Sequence, residues 1–140
     1  MGRGLVYDNP DVMSLIEETD YIDNFILLGE RPDISVCLKT MDVFCVPSRS
    51  EGYPNTLGEA MLAGAPCVST DAGDASIIGG EDVCIANVND FQDPAKKLLE
   101  IVNKSNEERQ SIGQRLSNRI IKEYSLEAMV MGFQDVYDNL

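Results

Sequence analysis

Two glutamates separated by seven residues, Glu51 and Glu59, bracket the segment of this chain best suited to chemistry. Between them lie Gly52, Tyr53, Pro54, Asn55 and Thr56, and Arg49 and Ser50 stand just before. A carboxylate on a loop can accept hydrogen bonds from a polyol and stabilise a positive charge as it develops. A helix that opens near Asn55 offers free backbone N–H groups, a ready site for a phosphate-like anion. Gly52, having no Cβ, lets a ligand come close to the backbone. Plainer roles fit the same residues. Thr56-Leu57-Gly58-Glu59 fits a capping box, in which Glu59 would serve only the first helical turn. Glu51 could be a solvated loop carboxylate, and Arg49 a surface charge.

The elements around the segment say where it must sit. Val43 to Val46 is a short apolar run closed by Pro47, in the manner of a buried parallel strand. A helix from about Asn55 to Ala63 carries Leu57, Ala60 and Met61 on one side and is closed by Gly64, with Pro66 beyond. Cys67 to Thr70 reads as a second buried strand. Strand, helix and strand form a βαβ unit, whose loop lies at the carboxyl end of the first strand, where open α/β sheets place their ligands.

At this point a resemblance emerges. Pro47-Ser48-Arg49-Ser50-Glu51-Gly52-Tyr53-Pro54-Asn55-Thr56-Leu57-Gly58-Glu59-Ala60-Met61, then Gly64-Ala65-Pro66, then Ser69-Thr70-Asp71, resembles the donor-site signature of group 1 (family 4) glycosyltransferases. The paired glutamates alone are a weak signal; with PS-x-x-EG before them, EAM-x-x-G-x-P after them and a closing TD, the signal is strong. The resemblance implies a retaining enzyme of the GT-B fold that uses a nucleotide-sugar donor, with no cofactor and no metal. It implies that Glu51 is the catalytic-site carboxylate at the donor sugar and that Glu59 holds the ribose. Ser50, Gly52, Tyr53, Pro54, Asn55 and Thr56 fall in the donor-binding segment. Arg31, in the loop Gly29 to Pro32, is implied at the nucleotide base, mostly through its backbone, although an exposed loop charge is an equal reading.

The rest of the chain fits an α/β fold. From Pro10, capped by Asn9 or Asp8, a helix carries Val12, Leu15, Ile16 and Thr19. Asn24 to Leu28 reads as a strand closed by Gly29, and Asp33 to Met41 as a short helix. Ala72 to Gly80 reads as a glycine turn, and Val83 to Ala86 as the last strand. Phe91, Ala95, Leu98, Leu99 and Val102 mark a helix face. Ser105 to Glu108 forms a capping box for a helix reaching Glu123, and Ser125 caps a final helix. The apolar side of that helix, from Leu126 to Tyr137, reads as core in preference to interface. The resemblance makes this a partial Rossmann-like, three-layer α/β/α domain with a mostly parallel sheet of about four strands, the third to sixth of the order 3-2-1-4-5-6.

On that map strand 1 and the body of strand 2 would precede Met1. So would the family's diphosphate-clamping Arg and Lys and its acceptor-binding N-terminal domain. The isolated chain is therefore expected to be a single truncated donor-binding domain, residues 1–140, that does not transfer sugar alone. A complementing N-terminal glycosyltransferase domain is one expected partner. A second copy is another, because a sheet lacking strands has an open edge.

Composition narrows the alternatives. A chain of 140 residues, 44% hydrophobic and 25% charged, suits one globular core. Its net charge of −13 argues against nucleic acid and anionic membranes, both of which reward clustered Lys and Arg. No apolar run has the length of a membrane span and no signal-peptide core follows Met1, so a cytoplasmic location is expected. Cys37, Cys45, Cys67 and Cys84 show no C-x-x-C spacing and the chain has no histidine, which favours buried thiols over a metal site or a disulfide. Two other functions compete. One is a non-catalytic interaction module that keeps the fold. The other is a Mg²⁺-dependent phosphoacceptor domain using Asp42, Asp71 or Asp74, disfavoured because Val83 to Val88 contains no lysine.

Overall fold

The computed structural model describes residues 1–140, which form two compact units, residues 1–34 and residues 35–140.

In the first unit, α1 (Pro10–Glu17) begins with proline at its first position, where the missing N–H has no partner to lose. Asn9 caps it: its Oδ1 accepts from the Asp11 N–H at 3.1 Å, and its Nδ2 donates to the Gly4 carbonyl at 2.8 Å. Ile22–Asn24 makes one 3₁₀ turn. The strand expected over Asn24 to Leu28 is not formed, so the sheet has three strands instead of four. A strand exists only through a neighbour's ladder, and this segment's groups are engaged otherwise. Tyr7 Oη donates to the Phe25 carbonyl at 3.0 Å and accepts from the Leu27 N–H at 3.3 Å. The Gly29 N–H donates to the Leu5 carbonyl at 2.9 Å.

After α2 (Ile34–Lys39) at the boundary, the second unit alternates strand and helix: β1 (Phe44–Val46), α3 (Asn55–Ala63), β2 (Cys67–Thr70), α4 (Ala75–Gly79) and β3 (Cys84–Ala86). Three helices follow, α5 (Gln92–Val102), α6 (Asn106–Glu123) and α7 (Leu126–Asp138). The sheet is parallel throughout, in the order β1-β2-β3. Cys45 stands opposite Val68, and Val68 opposite Cys84. As the central strand, β2 is buried at all four positions, which is why it lacks the alternation of a half-exposed strand. Leu57 and Met61 of α3, Val68 of β2, Ile78 of α4, Ile101 of α5 and Leu116 of α6 fill one core. This is an α/β arrangement of the partial Rossmann-like kind.

Three local features position the site or depart from expectation. At its C-terminus, α3 meets Gly64 in the left-handed region (φ 83°), and the Gly64 carbonyl lies against Gly113 of α6. A Cβ on Gly113 would fall 1.9 Å from that oxygen, so the two helices approach backbone to backbone. Where a turn was expected after Asp71, the five residues of α4 form a helix bracketed by Gly73 and Gly80, both at positive φ. In α7, where core packing was expected, no residue is buried, and every side chain from Met129 onward is exposed. Ser125 Oγ caps the helix by accepting from the Ala128 N–H at 3.1 Å. Its apolar stripe then extends past the surface that could cover it.

Candidate functional site

The loop from Pro47 to Pro54 leaves the carboxyl end of β1 and is fastened to its surroundings at two places, with one further bond inside it. The Thr70 hydroxyl, at the end of β2, donates to the Ser48 carbonyl at 2.5 Å and lies 3.3 Å from the Val46 carbonyl. The Ser48 hydroxyl donates to Glu51 Oε1 at 2.7 Å. Farther along, the Gly52 carbonyl accepts from the Asp74 N–H at 3.1 Å. This last contact requires glycine at position 73. Gly73 sits at φ 58°, and a Cβ there would come within 2.2 Å of the Gly52 oxygen and 2.6 Å of the Glu51 oxygen. The turn after β2 is thus laid directly on the peptide that carries Glu51.

What the loop presents is open. Glu51 is exposed, with one carboxylate oxygen held by Ser48. A Cβ on Gly52 would meet nothing within 4 Å, so open space lies over the backbone there. Ser50 and Arg49 are exposed, and neither side chain has a hydrogen-bond or ion-pair partner. Tyr53 is half exposed, and partial burial, aided by nearby Tyr124 and Asp74, pushes its phenol up from the ordinary tyrosine range. Pro54 is buried and serves as the N-cap of α3, which has no side-chain cap. The Pro54 carbonyl accepts from the Leu57 N–H at 3.0 Å, and the Asn55 N–H turns back to the Tyr53 carbonyl at 2.9 Å.

Since Pro54 takes the N-cap, Thr56 is the second helical residue and makes no capping box with Glu59. Glu59 lies on the exposed side of α3 with no hydrogen bond or ion pair from its carboxylate. The structural role that competed for it is therefore not realised. Ser50, Glu51, Gly52, Tyr53, Pro54, Asn55, Thr56 and Glu59 follow one another on a single loop and the first turns of one helix. Arg31 belongs to the first unit, where its guanidinium forks onto Asp33, Nε to Oδ1 at 2.7 Å and Nη2 to Oδ2 at 2.5 Å. That fork holds the Asp33 carboxyl below the usual carboxylate range.

Residue reading singled out no role for Ser48 or Thr70, although both stand in the motif. Their signal was the presence of hydroxyls at the ends of two neighbouring strands, where a short chain reaches a carbonyl of the adjoining loop. The thiols sit where apolar strands put them. Burial pushes Cys67 up to about 12, and Cys45 and Cys84 are raised for the same reason. All four cysteines are free thiols. Asp42, Asp71 and Asp74 form no three-carboxylate cluster, and Asp42 faces Arg109 at 3.5 Å. No helix is long and apolar enough to cross a membrane.

Known proteins resemble this chain over most of its length. The family described as glycosyl transferases group 1 matches residues 2–104. An uncharacterized glycosyltransferase of Methanocaldococcus jannaschii is 29% identical over 145 aligned positions, which take in 100% of this chain and 40% of that protein. The N-acetyl-alpha-D-glucosaminyl L-malate synthase of Bacillus anthracis is 24% identical, across 95% of this chain and 36% of its own length. A UDP-Gal:alpha-D-GlcNAc-diphosphoundecaprenol alpha-1,3-galactosyltransferase of Escherichia coli is 30% identical, across 80% of this chain and 29% of its own. The chain thus spans well under half the length of the relatives it matches.

Proposed function

Because the chain belongs to the group 1 glycosyl transferases, we propose that its segment from Ser50 to Glu59 binds a nucleotide-sugar donor for retaining transfer to a glycan or lipid-linked acceptor. The observation that carries this reading is the state of the two glutamates. Glu59 serves neither cap nor ion pair, and Glu51 is held at one oxygen by Ser48 on a loop fastened from two sides.

In the proposed reaction the bond from the anomeric carbon to the diphosphate oxygen breaks, and its electron pair leaves with the nucleoside diphosphate. An acceptor hydroxyl forms the new bond to that carbon, and its proton passes to the leaving phosphate. Positive charge gathers at the sugar and negative charge at the diphosphate. Glu51 opposes the first. The uncapped start of α3, with the Thr56 N–H unengaged, opposes the second. Glu59, one turn farther on, accepts from the ribose hydroxyls. We assign the reaction to the cytoplasm and no metal to the site. An acceptor-binding domain completes the cleft, and without it the chain buries its open apolar side chains against a second copy.

The test is calorimetric titration of the chain with UDP-, GDP- and ADP-sugars, alongside amide shift mapping. One of these donors is expected to bind, and each charge-assisted hydrogen bond it makes should contribute about 1.5–3 kcal/mol, roughly tenfold or more in affinity. Its shifts are expected to centre on residues 50–59. Failure of all three donors to shift those amides would remove the assignment.

A further inference from the structure

A cavity of about 570 Å³ opens beside the glutamate loop, at the carboxyl ends of β1, β2 and β3. Small-ligand pockets fall at about 300–1,000 Å³. One wall comes from Pro47 and Arg49, on the loop that carries Glu51; the other is the turn from Asn87 to Phe91 with Pro94 of α5. That turn is held by its own side chains. The Asn87 N–H donates to Asp93 Oδ2 at 2.8 Å, the Asn89 N–H to Asn87 Oδ1 at 2.9 Å, and the Gln92 N–H to Asp90 Oδ1 at 2.9 Å. The cleft is therefore shaped without a ligand.

Several groups lining it have no partner. The Arg49 guanidinium makes no ion pair on a chain of net charge −13, and the Asn89 side chain makes no hydrogen bond. Phe91 is 87% exposed, a ring left in water at the rim. The Asn87 amide nitrogen and Asp90 Oδ2 are likewise unengaged. Planar polar groups of this kind, a guanidinium, two amides and a carboxylate, each span two neighbouring hydroxyls. An aromatic face beside them packs against the C–H side of a sugar ring.

We propose that this cleft is a subsite for a neutral pyranose, with the ring laid on Phe91 and its hydroxyls shared among Arg49, Asn89 and Asp90. The assignment of that sugar as part of the acceptor rests on the donor reading above; the sugar site itself stands on the cleft alone. Arg49 and Asp90 leave the lining with no net charge, so the cleft does not select a small dicarboxylate. Malate, which appears in the name of the Bacillus anthracis relative, would find one positive charge, a carboxylate in the same lining and no use for the phenyl ring.

Amide shift mapping on the 140-residue chain tests this with methyl α-D-glucoside, methyl α-D-galactoside, methyl α-D-mannoside and sodium malate. At least one glycoside is expected to give saturable shifts at Arg49 and residues 87–91, and malate none there. Phe91→Ala and Arg49→Ala are each expected to weaken that binding about tenfold. Both side chains are exposed, so the melting temperature should hold. No saturable glycoside shift at these amides, an unchanged response in Phe91→Ala, or malate binding there as well as the sugars would each overturn the proposal. Nucleotide-sugar titration on the same sample reports separately at residues 50–59. Silence there with a response at 87–91 would remove the donor reading and leave the sugar site; the converse would remove the sugar site alone.

Discussion

Glu59 stands five residues into α3 with nothing in the fold depending on its charge. Glu59→Gln should therefore leave the urea midpoint unchanged, within the roughly 0.5 kcal/mol of an ordinary surface substitution. Nucleotide affinity should fall about tenfold or more if the carboxylate accepts from a ribose diol. Calorimetry that shows equal affinity in the variant would return Glu59 to the status of a solvated charge. Under the proposed function, Glu51→Gln is expected to lower turnover wherever transfer by this chain can be assayed; unaltered turnover would remove Glu51 from the reacting centre. A residue in the core gives a pH signature. Burial raises the Cys67 thiol from 9.0 to about 12, so above pH 9 the unfolded chain releases a proton that the folded chain retains. The stabilisation is complete below pH 9 and is lost as pH climbs from 9 towards 12. Unfolding free energies measured across that range should decline more steeply in the wild type than in Cys67→Ala; parallel curves would contradict the burial.

At the scale of elements, the crossing of α3 and α6 depends on a glycine inside a helix. Alanine normally improves a helix interior by about 1 kcal/mol over glycine. Gly113→Ala should do the reverse, because its methyl would land 1.9 Å from the Gly64 carbonyl and force the helices apart. A loss of about 1–3 kcal/mol in urea unfolding is expected. Gly132→Ala in α7, where a Cβ meets nothing within 4 Å, is the matched control and should cost no stability. The same comparison shows what a sequence can carry. The helix over Asn55–Ala63, the strand over Cys67–Thr70 and the caps at Asn9, Ser105 and Ser125 were legible, because each depends on residues adjacent in the chain. Asn24 to Leu28 misled for the opposite reason: a short, largely apolar run does not reveal whether a neighbouring strand will be present. The five residues of α4 are too few to show a period, and their bracketing glycines look like a turn. The capping-box pattern at Thr56 and Glu59 was genuine as a pattern, but the buried Pro54 sets the helix start two residues earlier than it requires. In the candidate site the order of residues along the loop could be read; the fastening of Ser48 by Thr70 could not, since it joins positions 22 apart.

At the scale of the molecule, the sheet ends and the last helix matter. β1 and β3 each pair in the sheet with β2 alone, and the exposed stripe on α7 includes Met129, Val130, Phe133 and Tyr137. A strand edge invites pairing and exposed apolar area invites burial, most commonly by two-fold symmetry. Light scattering of the isolated chain is expected to give twice the 15.4 kDa of one copy. A monomer at high concentration would rule this out. A Phe133→Ser, Tyr137→Ser double variant should shift the equilibrium towards one copy if the helix stripe is the contact; no shift would assign the association to the strand edge.

The hydrogen bond from the Asp74 amide to the Gly52 carbonyl also makes the loop observable. That amide hydrogen can trade with deuterium only in moments when Gly52 swings away, so its exchange rate counts openings of the glutamate loop one at a time. Because the reporter is a backbone amide on the neighbouring turn, it reads the loop's clock with every side chain of the loop left as it is.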